Sequence, residues 1–338
     1  MKKKLILPFE DHPYSLMYHS LAFPMGIIQG NAKEDITPWL CGRYVNCMFT
    51  PNQKDNKFHI SLSDNWATAD KVLSQQSISL FSHMYHEFHM EILWLFCRML
   101  ENGHYVHGGY NEEYIPHKWA YGKQYYHHDF LLIGFNNAKK VFYSVGYLDN
   151  RKFHRYEIPY ENMMNSILTL DHGKPAFNFW SFRENANLTL NLPKITIELE
   201  DYLNSKTSQK LYSADKTFGF RAIERLQVYF QKQAEQGYGL DHRYTRGLME
   251  HKYFMKLRME YLNQQGILNR NTDMQYASDV YRISQKVHLL GLKYTMTRNQ
   301  KTLFSLIDLI GQMNKQEREY LPTVLDDLKK QVGTGGMA

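Results

Sequence analysis

Two histidines, His127 and His128, stand directly in front of an apolar run in YYHHDFLLIGFNNAKKVFYSVGYL, residues 125–148. An imidazole at a strand edge can take a proton from a thiol or hydroxyl and return it to a leaving group. The same position also suits an ordinary histidine bonded to backbone at a hairpin end, and the spacing leaves both roles open. A nucleophile for such a base would be a thiol near a helix N-terminus, where the positive end of the helix dipole lowers its pKa. Cys41 follows Thr37–Pro38, a cap residue and a proline at the first helical position, and is expected near the start of that helix. Cys47 falls toward its end and Cys97 within an apolar helix, so both read as core cysteines. Ser20, in MYHSLAFPMGII, precedes another candidate helix and is the hydroxyl alternative.

A third, orienting residue would be Asp149 or Asn150, although LDNRK also reads as a solvated turn. Glu112 and Glu113, after Gly108–Gly109, are expected to face solvent. His83, His86 and His89 share one expected helix, but the outer two lie about 120° apart around it. They do not converge on one ion, and the set is not HExxH, so no metal is expected there.

The elements that must position these groups divide the chain. Short helices are expected over 20–30 and 37–48. A strand is expected at KFHISLSDNW and a long helix over 75–102, closed by Gly103. Strands follow in HYVHGGYNEEYIP, at 129–135 and at 141–148, the last two joined by NNAKK, where Asn136–Asn137 suits a tight turn. AFNFWSF is a further strand, and LPKITIELEDYLNS fits helix or strand. From about Phe218 onward four helices with short connections suggest a bundle. The fold class read from this order is α+β with a C-terminal helical module, and VGTGGMA reads as a loose tail.

Composition narrows the function. Of 338 residues 43% are hydrophobic, enough for a sizeable core, and no run nears the roughly 20 apolar residues that cross a bilayer. MKKKLILPFEDHPYS is too short in its apolar part for a signal peptide, so a cytoplasmic protein is expected, with no membrane partner. Three cysteines without CxxC spacing suggest neither a disulfide scaffold nor zinc. A net charge of +6 is too dilute for a nucleic-acid binder but fits a surface that receives an acidic protein. The excess sits in 215–299, with fourteen Lys and Arg against eight Asp and Glu.

The stretch LENGHYVHGGYNEEYIPHKWAYGKQYYHHDFLLIGFNNAKKVFYSVGYLDNRKFHRYEIPYENMMNSI, residues 100–167, resembles the N-terminal domain of the butirosin-biosynthesis BtrH-like family. The match is a helix ending at glycine, a strand, a tyrosine-rich EEYIP loop, a His-led strand with a GF turn, and a second strand. This resemblance implies a papain-like, cysteine-peptidase-related domain over 1–212, followed by a helical domain over 213–331 and a flexible tail over 332–338. It implies acyl or aminoacyl transfer in natural-product biosynthesis, nonribosomal peptides among them. The acyl group would pass from the phosphopantetheine thioester of an acyl or peptidyl carrier protein to an amine-bearing small molecule or peptide. The chain itself would bind no cofactor. By the same resemblance His128 is the base; the acyl group would be taken by Cys41, the candidate read from the residues and about twenty residues later than the family's cysteine, or by Ser20. The family's early cysteine aligns best with His19 or Ser20, and its acid with Gly146, so that Asp149 is the nearest carboxylate. A non-catalytic binding or scaffold protein and a thioester or peptide hydrolase are the alternatives.

Overall fold

The structure, a computed structural model, describes residues 2–51, 57–62, 67, 71–79, 89–149, 151–170, 176–209, 215–269 and 274–334. In chain order the elements begin β1 (Lys4–Ile6), α1 (His19–Asn31), α2 (Thr37–Leu40), β2 (Met48–Thr50), β3 (Lys57–His59) and β4 (Leu73–Ser79). There follow α3 (His89–Glu101), β5 (Tyr105–Asn111), a single 3-10 turn (Glu112–Tyr114), β6 (His127–Asn136), β7 (Val141–Tyr147), β8 (Phe153–Pro159) and α4 (Tyr160–Leu168). The remainder are β9 (Ala176–Phe182), α5 (Leu192–Leu203), β10 (Thr217–Phe218), α6 (Gly219–Gln236), α7 (His242–Gln264), α8 (Gln275–Thr297) and α9 (Gln300–Thr334). The protein is α+β, and its contacts divide it into two units: Met1–Glu34 with Ala67–Asn187, and Asp35–Trp66 with Leu188–Ala338. The division thus falls at three points of the chain rather than once near residue 212.

The first unit is built on an antiparallel sheet of order β4-β9-β5-β6-β7-β8, with β1 also paired to β6. One face is packed by α3 and α4, and Phe96 is the hub of that core. Its ring meets Phe177 edge-on at 4.9 Å and lies 6.3 Å from Phe130 and 6.2 Å from Phe142. Such aromatic crossings add to the transfer free energy of burying the rings. Register shifts between Leu132 and Gly134, and β1 takes up the β6 edge from Gly134 to Asn136. A Cβ at residue 134 would collide with the Leu5 carbonyl oxygen, so only glycine lets β1 approach.

The second unit holds the three-stranded sheet β10-β2-β3 and the helices from α5 onward. Helix α8 packs on α7 and α9, and α9 also packs on α6 and α5. Inside it Lys252 Nζ lies 2.5 Å from Glu317 Oε2, and Tyr202 donates to the same oxygen at 2.8 Å, all three side chains buried.

Several expectations shift. The long helix expected over 75–102 is a strand at its start, because Leu73–Ser79 pairs along its length with β9 and Ser74 bonds Ser181 at 2.6 Å. Cross-strand pairing overrides a helical period here. Residues 80–88 lie outside the described residues. The helix expected over 37–48 ends at Leu40, since Arg258 takes the Cys41 and Arg43 carbonyls at 2.6 Å each and Tyr44 turns to φ 52°. In the β6–β7 turn the positive φ falls at Lys140, not at the asparagines. The Asn136 side chain instead accepts from the N–H groups of Ala138 and Lys139. The ambiguous LPKITIELEDYLNS is helix α5, capped by Asn191.

Candidate functional site

Strands β6 and β7 pair from Asn136↔Val141 as far as Leu131↔Val145. Beyond that point His127–Phe130 pair only with β5, and Gly146 and Tyr147 only with β8. Pairing between the two central strands therefore stops at Leu131, one residue short of the end of the buried run of β6 at Phe130, leaving His128 on one side of the opening and Gly146 on the other. The N-terminus of α1 fills the space. His19, its first residue, lies ring to ring 4.7 Å from His128 and stacks 5.6 Å from Tyr147. Gly146, at φ 155°, carries no side chain to block this approach. A Cβ there would stand 3.4 Å from Lys118 Nζ and 3.5 Å from His19 Nε2.

The carboxylate beside His128 belongs to Glu112, whose Oε1 is 3.1 Å from His128 Nδ1. The separation is that of a hydrogen bond, yet His128 Nδ1 makes none among the described residues. Unliganded sites often hold catalytic pairs this way until substrate tightens them. Glu112 is fixed from several directions. Asn111 caps the 3-10 turn by accepting from Glu113 N and Tyr126 N, and the Glu112 N–H reaches Tyr126 O at 2.9 Å. Lys118 Nζ sits 3.8 Å from the same carboxylate, donates to Tyr147 O at 2.6 Å and lies 4.7 Å over the Tyr156 ring. Glu112 and Lys118 are 5% and 4% exposed, so the pair is desolvated and each charge needs the other.

His19 is buried and its Nε2 makes no hydrogen bond among the described residues. Burial holds its pKa well below the usual histidine value, helped by the neighbouring His128, Lys118 and His107, so the ring is neutral at physiological pH. His107, stacked on Trp180 at 4.4 Å and 12°, is likewise lowered by burial, with Asp129 pulling the other way. A carboxylate at Nδ1 of His128 favours the tautomer with its lone pair on Nε2, the form a general base requires.

Of the residues singled out from the sequence, His128 lies in this constellation, 35% exposed at its side chain. Ser20 is the second residue of α1, next in the chain to His19 and half-buried. Cys41 belongs to the second unit. It is not near a helix start but is the C-terminal cap of the four-residue α2, where the dipole opposes a thiolate. Burial pushes its thiol up to about 11 against the pull of Arg258. Burial likewise raises Cys47 to about 12, and it raises Cys97, whose sulfur lies 3.5 Å from the Tyr160 hydroxyl within the sheet core. Asp149 is exposed in its turn, with its N–H donating to His117 O at 2.9 Å, and Asn150 lies outside the described residues. Glu112, expected to face solvent, is buried at the site instead. A signal for it exists in the hairpin register: Tyr110 opposes His128, so Glu112, two residues on, falls on the same side of the ribbon. Lys118 left no comparable trace.

Among the described residues no group of three or more His, Cys, Asp or Glu is placed to hold a metal ion. His83 and His86, and the His89 side chain, lie outside them. No described helix is long and apolar enough to cross a membrane. No protein-family model matches the chain, and no curated protein matches it either.

Proposed function

We propose that the first unit is a papain-like acyl- or aminoacyltransferase domain of the kind the resemblance implies, in which His128, oriented by Glu112, acts as the general base. The observation that carries this reading is the 3.1 Å approach of Glu112 Oε1 to His128 Nδ1 beside the first turn of α1. The sole cysteine of this unit, Cys97, lies in the sheet core, which favours direct transfer over an acyl-enzyme. The acceptor amine attacks the thioester carbonyl as His128 Nε2 takes its proton. The C–S bond then breaks, and the same proton passes to the departing pantetheine thiolate, giving amide and free thiol. The donor would be a phosphopantetheine thioester on a carrier protein and the acceptor an amine-bearing small molecule or peptide, in a biosynthetic pathway.

The test is amide formation from a panel of acyl-pantetheine thioesters and primary amines, followed by mass. His128→Ala should lower the rate at least about 100-fold while leaving Tm within a few degrees. An unchanged rate in this variant would sink the reading, and Ser20→Ala losing as much would restore a two-step route through that hydroxyl. His19 at the first helical position, where a nucleophile is expected, favours the competing reading of a non-catalytic binding protein. That reading wins if the native chain binds thioesters without consuming them. Thioester loss without amide would indicate a hydrolase.

A further inference from the structure

Helix α8 turns one face inward: Val280, Ser284, Val287, Gly291 and Tyr294 are buried, and Gly291 lies against Thr245 of α7. The opposite face has no partner among the described residues. Leu289, Leu292 and Met296 are 64%, 37% and 85% exposed, and at about 100° per residue they fall within about 60° of one another. Arg282, Lys286 and Lys293 fall within about 60° of Leu289 along the same stripe. Scattered exposed leucines need no explanation, but an aligned apolar row edged by cations on one helix does. From Arg282 to Met296 the chain carries no Asp or Glu. Arg282 pairs back to Asp279 at 3.2 Å, whereas Lys286 and Lys293 have no ion pair among the described residues. The stripe runs about 21 Å from Arg282 to Met296, of which the last ~10 Å, Leu289 to Met296, is apolar ridge with uncompensated positive charge beside it.

We propose that this face of α8 is a protein-docking surface whose partner presents an acidic amphipathic helix, its apolar residues seated on Leu289, Leu292 and Met296 and its carboxylates against Lys286 and Lys293. Charge complementarity selects the partner, and the apolar ridge supplies the desolvated centre that such interfaces need. A lipid surface is the poorer occupant, because three aliphatic side chains without an aromatic anchor insert little apolar area. The inference deepens the transferase reading by giving its carrier protein a place to dock, but binding is measured without turnover, so the two fail separately.

The probe is a helical peptide of about 18 residues with a leucine stripe flanked by glutamates, beside a twin with lysines in their place. Binding to the full chain is followed by anisotropy and by the methyl resonance of Met296 in carbon-labelled protein. The glutamate peptide should shift that resonance, bind at least about tenfold tighter than its twin, and weaken as salt rises from about 50 to about 300 mM. Leu289→Asp should lose the binding with an unchanged circular dichroism spectrum, and Lys286→Glu with Lys293→Glu should reverse the preference toward the lysine peptide. Equal affinity for the two peptides, an unmoved Met296 signal, or binding to anionic vesicles in place of the peptide would each overturn the proposal.

Discussion

A carboxylate that serves both an imidazole and a buried ammonium has two duties, and substitution can separate them. Glu112→Gln should reduce transfer by about 100-fold or more, since His128 loses the group that sets its tautomer. It should also destabilise the first unit by about 3 kcal/mol, because Lys118 is left buried without its counter-charge. Adding Lys118→Met to Glu112→Gln should recover most of the urea midpoint and none of the rate. If both recover together, Glu112 is a structural group only. The cysteines give a second check at this scale. With Cys41 at about 11, its thiolate is a minute fraction at neutral pH, so iodoacetamide should label none of the three thiols quickly in native protein and all of them in denaturant. One fast adduct at Cys41 would contradict its buried setting and revive a thiol route.

At the scale of elements, the second unit is pinned by a charge pair that reaches across three helices. Lys252 on α7 meets Glu317 on α9, and Tyr202 on α5 donates to the same carboxylate. Lys252→Ala should cost about 3–5 kcal/mol in urea unfolding, since Glu317 would be stranded without solvent, whereas Lys252→Met with Glu317→Leu should cost far less. Equal losses would mean that the pair itself, not the stranded charge, carries the energy. The elements also show what the residue pattern could convey. The helices of this unit were legible because their apolar stripes repeat at the helical period, as in Leu303, Leu306 and Ile310 of α9, all buried. The hairpin carrying His128 was legible from apolar runs flanking a polar turn. The strand at Leu73–Ser79 was not, because a polar segment such as SQQS becomes a strand only through its pairing with β9. Nor was the early end of α2, which depends on a guanidinium more than 200 residues away in the chain. Glu112 was hidden for a related reason: a glutamate after two glycines looks solvated until Lys118 and Tyr126 close over it.

For the whole molecule the buried imidazoles set an acid limit. Burial lowers His19 and His107 in the first unit and His251 in the second, and it takes His288 to about 4. Each is neutral in the folded chain, while the unfolded chain binds a proton near pH 6.5. Below that value the unfolded state holds more protons, so stability is full above about pH 6.5 and falls as the pH drops toward the folded pKa of each group. Glu198, whose carboxyl burial raises, works in the opposite direction. The urea midpoint should therefore fall between pH 7.5 and 5, and His288→Gln should flatten the slope. A midpoint that rises on acidification would mean these rings are charged in the native state.

The short first strand carries a practical consequence. β5 covers one edge of β6 as far as Leu132, and β1 takes over from Gly134 to Asn136, with Leu7 N bonding Ile133 O at 2.7 Å between them. The strand that delivers His128 is thus sheathed on that flank by two segments far apart in the sequence, one at the start of the unit and one in its middle. Trimming the amino terminus past Ile6, or threading a rigid tag onto it, would bare backbone donors and acceptors in the middle of a sheet. Such a preparation would invite strand-to-strand association between molecules and blur the very imidazole one wished to assay, so a label belongs at the carboxyl end.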